Sequence, residues 1–343
     1  MEQTGNPLVS VIMSVYNEEE YIADAVNSIL RQTVQSLELL VYNDCSSDGT
    51  LQILRRIEDP RLRIIENKEN CGLTKNLNKG LELARGRYIA RMDGDDISKP
   101  ERFARQIHYL ETHPEVMLIS CQTETFGMRS LRSRFPESSE YIRCCMLVRP
   151  VLAHPGYMMR RELTSQFHYR YDESFRSAQD YDFAARVGAR FPLGIASPVL
   201  LQYRSHKGQV SESAGGRQLA NADRVRSMLL AQLGVTLSER ETAAYRAFVL
   251  EKRDADAQTM RQAYEAVRRI LEANRRHRLY EQTVLTRCME SLFLLWLVRT
   301  KNRKLWTQIN QICPTMEHGA RKLCGALLGV ILKRPVVREI RKK

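Results

Sequence analysis

The chain has 343 residues, a formal net charge of +13 and a hydrophobic share of 43%. This composition excludes a disordered chain and is that of a globular protein long enough to bury a large core. No apolar stretch reaches the roughly 18–20 residues that a membrane-spanning helix needs. The N-terminus has no basic cluster followed by an apolar core, so we expect no secretory signal.

The positive charge is concentrated at the C-terminal end. Residues 251–343 carry 21 Lys and Arg against 9 Asp and Glu, which leaves 32 against 31 for residues 1–250. The last stretch, Ala320–Lys343, alternates basic and apolar residues and ends in a basic cluster. This pattern predicts a helix lying on an anionic membrane surface. The alternative is a docked terminal helix with a solvated basic end.

Eight cysteines occur without a CxxC pair and without the Cys/His spacing of a zinc site. We expect them to be reduced thiols of a cytoplasmic protein, most of them packed as small apolar residues.

The first 120 residues alternate short apolar runs with helical patterns. The apolar runs predict strands over Val9–Ser14, Leu37–Tyr42, Arg63–Glu66, Tyr88–Met92 and Val116–Cys121. The helical patterns cover Glu19–Arg31, Asp48–Ile57, Thr74–Ala84 and the stretch from Glu101 to His113. Such alternation predicts an α/β fold with a mostly parallel sheet covered on both faces. Ligands of such sheets bind beyond the carboxyl ends of the strands.

The rest of the chain is less regular up to residue 215 and helical afterwards. Residues 122–215 hold one clear helical pattern, at Tyr181–Arg190. Two capping boxes are expected, one formed by Ser98 with Glu101 and one by Ser238 with Glu241 at the start of the helical region.

The segment Arg91–Asp96 ends the fourth predicted strand with three carboxylates around Gly94. Crowded carboxylates repel one another unless a cation shares them. Oxygen ligands suit Mg²⁺ or Mn²⁺, which complete their shells with phosphates and water. The segment therefore predicts a metal site that holds a diphosphate. An acidic turn that caps the following helix is the alternative.

Polar residues also follow the other strands. Tyr16 is placed to pack on a base, and Asp44 to accept a hydrogen bond from a base or a ribose. Asp180 heads a helix, where a carboxylate can serve as general base for a hydroxyl nucleophile. His206 is a candidate metal or phosphate ligand, and His154 lies in a loop expected to line the cleft. For each residue, a turn, cap or packing role is the structural alternative.

Together these segments resemble a family 2 glycosyltransferase of the GT-A fold, over about residues 7–213. Eight segments stand in the family's order: Val9–Glu18, Asn43–Thr50, Asn70–Gly80, Gly86–Ile89, Asp93–Asp96, His154–Arg161, Tyr171–Asp182 and Tyr203–His206. The resemblance implies an α/β GT-A fold, with a Rossmann-like, mostly parallel central sheet and flanking helices, plus a helical C-terminal region. It assigns residues 7–121 to nucleotide-sugar binding, 122–215 to acceptor binding and 216–343 to the helical region with its basic tail.

The resemblance also implies roles for individual residues. Asp180 matches the catalytic base, Asp95 a metal ligand, and His206 a second candidate ligand. His154 and Asp182 are candidate acceptor contacts. The implied nucleotide-sugar contacts are Tyr16, Asn17, Glu18, Asp44, Lys75, Asn78, Asp93 and Gly94. The chain departs from the family pattern at Asn43 and Gln179, where Asp and Glu are common.

The implied activity is inverting transfer of a sugar from a nucleotide-diphosphate sugar, expected to be UDP-linked, with Mn²⁺ or Mg²⁺ as cofactor. The enzyme would be a hexosyl- or N-acetylhexosaminyltransferase that forms a β-linkage to a hydroxyl of a glycan or lipid-linked glycan in surface polysaccharide biosynthesis. The expected location is cytoplasmic and peripheral on the inner face of the cell membrane. No nucleic-acid partner is expected, because no recognised nucleic-acid module is present.

Two alternatives remain open. One is a non-catalytic or partner-activated subunit of a glycan-assembly complex. The other is a sugar nucleotidyltransferase, which would need a Gly-rich basic phosphate loop that Ser14–Glu20 lacks.

Overall fold

The structure is a computed structural model that describes residues 5–128, 130–132, 135, 137–206 and 215–300. These residues form two compact units. The first runs to Ser139 and resumes over Val151–Asn221. The second holds Glu140–Pro150 and, among the described residues, those from Ala222 to Thr300. The predicted membrane-binding tail, Ala320–Lys343, lies outside the described residues.

All nine described strands belong to one sheet in the first unit. They are β1 Val9–Val15, β2 Leu37–Asn43, β3 Leu62–Glu66, β4 Tyr88–Met92, β5 Ile97–Ser98, β6 Leu118–Gly127, β7 Leu131–Arg132, β8 Met158–Arg160 and β9 Leu193–Ser205.

The described helices follow the strands in the first unit and make up most of the second. They are α1 Ile22–Leu30, α2 Thr50–Arg55, α3 Leu73–Leu83, α4 Arg102–Thr112, α5 Ser139–Met146, α6 Glu162–Ser165, α7 Gln179–Gly188, α8 Gly215–Gln232, α9 Glu239–Val249, α10 Ala257–His277 and α11 Gln282–Arg299. A short 3-10 helix covers His154–Gly156.

The sheet is mixed but mostly parallel where the sequence predicted it. Its order is β3-β2-β1-β4-β8-β6-β9-β5, and β7 pairs with β6. Strands β1 to β4 are parallel to their neighbours in that half, whereas β8 runs antiparallel to β4 and β6. In the register, Val15 lies opposite Asn43 and Met13 opposite Met92. The polar segments that follow these three strands therefore meet at one edge of the sheet.

The strands β1, β2 and β4 are buried along their whole length, apart from the half-buried Ser14. Helix α3 approaches β1 so closely that a Cβ at Gly80 would lie 2.5 Å from the Cγ2 of Ile12. Only a glycine permits this contact, which keeps α3 close to the edge where the polar segments meet.

The two capping predictions have different outcomes. Ser238 and Glu241 form the expected capping box of α9. Ser98 does not cap α4: it lies in β5, is buried, and accepts a hydrogen bond from Gln32 Nε2 at 3.0 Å. The N-cap residue of α4 is instead Glu101, whose side chain makes no capping hydrogen bond. Pairing of β5 with β9 takes Ser98 away from the helix end.

The second unit is helical, as predicted, and also takes in Glu140–Pro150, which the sequence placed in the acceptor-binding part. Its core holds Phe248, Phe293 and Trp296, whose ring centroids lie 5.4–5.7 Å apart. Helix α11 ends at Arg299.

The six cysteines in the described part of the chain are free thiols, and four of them are buried. No described helix is long and apolar enough to cross a membrane.

Candidate active site

Three aspartates after β4 form an acidic cluster. One carboxylate oxygen each of Asp93, Asp95 and Asp96 lie within 4.8 Å of one another. Asp96 is fully buried; its Oδ1 accepts a hydrogen bond from the backbone N–H of Arg204 at 2.8 Å. Its Oδ2 has no hydrogen-bond partner among the described residues. Burial, followed by the charges of Asp93 and Asp95, raises the pKa of Asp96 well above its usual range. A divalent cation fits this set, because it would neutralise the repulsion and engage the unpartnered oxygen.

Arg91 lies beside the acidic cluster, where the sequence analysis assigned it no role. Its side chain is 5% exposed, and both terminal nitrogens donate to the carboxylate of Asp93. Burial still raises the pKa of Asp93, although the charge of Arg91 opposes the shift. A charged residue inside an otherwise apolar strand was the signal that could have identified it.

Glu18 and Gly94, which are both predicted to contact the nucleotide sugar, lie next to each other at the acidic cluster. A Cβ at Gly94 would lie 2.7 Å from Val15 Cγ1 and 3.3 Å from Glu18 Cγ, so this turn needs glycine. Burial, followed by the charges of Asp95 and Asp93, raises the pKa of Glu18 to about 8. Glu18 therefore adds a fourth carboxyl group to the edge of the cluster.

The end of β9 also contacts the acidic cluster. His206 Nε2 lies 3.0 Å from Asp95 Oδ2, so the structure brings together the two residues predicted as metal ligands. Arg204 Nε donates to the backbone oxygen of Asp95 at 2.7 Å. The guanidinium of Arg204 and the ring of His206 both pack on Tyr21. Sequence reasoning missed Arg204 and Tyr21, since neither belongs to an acidic or glycine-rich motif.

The loops after β1 and β2 are joined by hydrogen bonds. Asn17, at a positive φ of 56°, donates its backbone N–H to Ser46 Oγ at 3.0 Å and accepts the N–H of Ser47 on Oδ1 at 2.8 Å. Asn17, which is predicted to contact the nucleotide sugar, therefore links the two loops by hydrogen bonds. Tyr16 is 48% exposed at the end of β1, which leaves its ring open for stacking.

Asp44 is buried, and its carboxylate forms hydrogen bonds with the protein's own backbone. Its carboxylate accepts hydrogen bonds from Cys71 N, Gly72 N and Asn67 Nδ2, each at 2.8 Å. Burial acts to raise its pKa, but these hydrogen bonds outweigh burial and lower it. These hydrogen bonds anchor the loop that precedes α3, and the contact of Asp44 to a base stays a prediction.

Asn78 and Lys75 lie on α3, but only Lys75 is exposed. The Nδ2 of Asn78 donates to Tyr171 O at 3.0 Å and Glu173 Oε1 at 3.1 Å, and its Oδ1 accepts Tyr171 N at 2.9 Å. These bonds use both ends of the amide. Asn78 therefore ties α3 to the segment before α7, and its place near the nucleotide stays a prediction.

Asp180 lies in the first turn of α7, which begins after Ala178 in a left-handed conformation with φ 58°. Burial raises the pKa of Asp180. Its charge in turn raises the pKa of Asp93, so the two carboxylates share one electrostatic environment. The structure thus brings the predicted base to the acidic cluster.

The two predicted acceptor contacts are engaged within the fold. The carboxylate of Asp182 is 2% exposed and accepts from Arg186 Nε at 2.9 Å and Nη2 at 2.7 Å. His154 is buried, and its Nε2 lies 3.0 Å from the hydroxyl of Tyr171. Burial, followed by the charge of Arg91, lowers the pKa of His154 well below its usual range. Both side chains thus have partners within the fold, and their contact with an acceptor stays a prediction.

Known proteins share this sequence pattern. Residues 10–167 match the family described as Glycosyl transferase family 2. An uncharacterized glycosyltransferase of Haemophilus influenzae is 32% identical over 233 residues, which are 64% of this chain and 72% of that protein. The amylovoran biosynthesis glycosyltransferase AmsE of Erwinia amylovora is 31% identical over 220 residues, 61% of this chain and 80% of AmsE. The chain therefore belongs to glycosyltransferase family 2, and it is a glycosyltransferase.

The putative glycosyltransferase EpsE of Bacillus subtilis is 40% identical over 132 residues, 37% of this chain and 48% of EpsE. Among solved structures, S. aureus TarS 1-349 in complex with UDP-GlcNAc has a TM-score of 0.56 and 19% identity. The match covers 92% of this chain and 91% of TarS 1-349. The fold is thus GT-A with added C-terminal helices, which confirms the prediction.

Proposed function

We propose that this glycosyltransferase transfers a hexosyl or N-acetylhexosaminyl group from a UDP-sugar and inverts the anomeric configuration. One observation carries the proposal. A cluster of three aspartates that could hold a cation lies close enough to a separate carboxylate, Asp180, for the charge of Asp180 to raise the pKa of Asp93. The complex of TarS with UDP-GlcNAc supports a uridine donor in a protein of the same fold.

Asp95 and Asp96, with His206 beside Asp95, are the residues that would hold the metal ion. Mn²⁺ or Mg²⁺ bound there would supply positive charge to offset the charge that builds on the departing diphosphate. Asp93 and Glu18 are the remaining carboxyl groups at this edge, and we assign them to donor binding together with the exposed ring of Tyr16.

Asp180 acts as the general base. It accepts the proton of the acceptor hydroxyl as that oxygen attacks the anomeric carbon on the face opposite the leaving diphosphate. The bond from the anomeric carbon to the diphosphate breaks as the new bond forms, so an α-linked donor gives a β-linked product. A raised carboxyl pKa suits this role, because it makes the carboxylate a stronger proton acceptor.

The acceptor class that we propose is a glycan or lipid-linked glycan of a surface polysaccharide. Relatives named for amylovoran and succinoglycan biosynthesis support this class. The basic stretch Ala320–Lys343 supports a location on the inner, anionic face of the cell membrane, where such acceptors are anchored.

A thermal-shift panel tests the donor assignment. The full chain is heated with UDP, GDP, dTDP or CMP, each with Mn²⁺ or with a chelator. A ligand at ~100 times its Kd adds about 2.7 kcal/mol of stability. We expect a Mn²⁺-dependent shift with UDP that Asp95→Ala abolishes. The matched control, Asp254→Ala, removes an exposed carboxylate of the second unit and should keep the shift. A shift with none of the four nucleotides would contradict the proposal.

A further inference from the structure

A buried arginine holds one member of the acidic cluster. Arg91 and Asp93 are two residues apart around the end of β4, and strand periodicity places such residues on the same face. Both terminal nitrogens of the guanidinium donate to the two carboxylate oxygens of Asp93. This two-point contact fixes the plane of the carboxylate as well as its position.

The arrangement is costly as a purely structural feature. The side chain of Arg91 is 5% exposed and that of Asp93 is 27% exposed, so the buried charge of the pair is the guanidinium. Burying the charge of an ion pair commonly stabilises a fold no better than apolar residues of similar volume. In addition, the Nε–H of Arg91 is buried and has no hydrogen-bond partner among the described residues. A buried donor without a partner destabilises the folded state. Stability alone therefore does not explain an arginine at this position.

The other nearby arginines do not bind the Asp93 carboxylate. Arg102 donates to the backbone oxygens of Arg91 and Pro155. Arg204 donates to the backbone oxygen of Asp95. Among the described residues, the Asp93 side chain is ion-paired with Arg91 alone.

We propose that Arg91 is a positioning residue: its two-point contact directs the Asp93 carboxylate toward the hydroxyl groups of the bound nucleotide and leaves the metal ion to Asp95 and Asp96. This inference rests on the proposed function, which assigns Asp93 to donor binding. Lysine would not replace Arg91, because a single ammonium group cannot orient a carboxylate plane.

A positioning role and a purely structural role of Arg91 predict different changes in the affinities for Mn²⁺ and for UDP. If Arg91 positions Asp93, then Arg91→Gln weakens UDP binding, while Mn²⁺ binding without nucleotide is kept or strengthened, because a positive charge has been removed near the cation. If Arg91 is merely structural, both affinities fall together with thermal stability.

The test uses the full chain and four variants: Arg91→Gln, Arg91→Lys, Asp93→Asn and the double variant Arg91→Gln/Asp93→Asn. Calorimetry measures Mn²⁺ affinity without nucleotide, and a thermal-shift titration measures UDP affinity at saturating Mn²⁺. Arg160→Gln is the matched control, since Arg160 is also buried but donates to the backbone oxygens of Val116 and Leu110.

We expect Arg91→Gln and Arg91→Lys each to weaken UDP binding about tenfold, the scale of a lost hydrogen bond to a charged group. The double variant should bind UDP no more weakly than Asp93→Asn, because Arg91 acts through Asp93. Arg91→Lys keeps the charge and most of the volume of the side chain. If the Gln variant does not fold, the UDP affinity of Arg91→Lys therefore decides the test.

If the double variant bound UDP about a hundredfold more weakly than the wild type, the two single effects would be independent and the inference would be overturned. Unchanged UDP binding in Arg91→Lys would also overturn it. A parallel loss of Mn²⁺ binding, UDP binding and thermal stability, as a structural role predicts, would overturn it as well. A wild-type chain that binds neither Mn²⁺ nor UDP would instead refute the proposed function, and the inference with it.

Discussion

Replacing Asp96 with Asn should stabilise the metal-free protein. Asp96 is fully buried, and its Oδ2 has no partner, so its negative charge opposes folding. Asn keeps the shape and the Oδ1 that accepts Arg204 N–H. Its amide nitrogen would replace Oδ2 near the carboxylates of Asp93 and Asp95, which can accept a hydrogen bond. The substitution removes a charge and adds a donor where acceptors are crowded.

The expected gain follows from the cost of a buried unsatisfied group, which is ~1–3 kcal/mol. For a unit of this size, 1 kcal/mol shifts Tm by about 2–4 °C. The gain is thus ~2–12 °C in Tm. It also depends on pH, because the pKa of Asp96 is raised in the fold. The pKa of Asp96 is higher in the folded state than in the unfolded state. The free energy of unfolding of the wild type therefore falls as the pH rises from the unfolded-state pKa through the folded-state pKa. The advantage of the variant should therefore be larger at about pH 8 than at about pH 5.

Differential scanning fluorimetry with a chelator measures this gain, with Asp254→Asn as an exposed control that should leave Tm unchanged. Addition of Mn²⁺ should reverse the order, because the metal raises the Tm of the wild type more than that of Asp96→Asn. A lower Tm for Asp96→Asn in the chelator would refute the reasoning, since it would mean that the carboxylate stabilises the fold without a cation.

Four further predictions concern other parts of the chain. Asp180→Asn should lower turnover by about 10²–10⁴-fold and leave UDP affinity unchanged, as kinetics with thermal-shift titration would show. In the wild type, the rate should rise with pH through a midpoint above the usual aspartate range, because burial raises the pKa of Asp180 and only the carboxylate is a base. Asn78→Ala should destabilise the first unit by ~1–3 kcal/mol in urea unfolding, because it leaves backbone groups of Tyr171 unpaired. Ser238→Ala should cost about 1 kcal/mol through loss of the α9 cap, and UDP binding should not change.

The sequence predicted the sheet because local signals define it. Each of β1, β2 and β4 is a short apolar run bounded by polar turn residues, and the alternation with helices sets the parallel connections. The acidic cluster was predictable for the same reason, since three carboxylates stand together in the chain after one strand.

Contacts between distant segments account for what the local patterns did not predict. The partners of Asn78 are 93 and 95 residues away, and those of Asp44 are 23 to 28 residues away. A polar residue near a strand end has the same local pattern whether it faces a ligand or another loop. Ser98 fits the spacing of a capping box, yet pairing of β5 with β9 decides its position.

Donor turnover tests the central claim most directly. Wild type and Asp180→Asn are incubated with Mn²⁺ and a panel of nucleotide sugars, with water as the acceptor of the sugar, and release of the nucleoside diphosphate by this hydrolysis is measured. We predict that the wild type releases UDP from a UDP-sugar, while Asp180→Asn binds UDP equally well and releases at least about a hundredfold less. Full turnover by Asp180→Asn, or no release by the wild type from any sugar of the panel, would contradict the account.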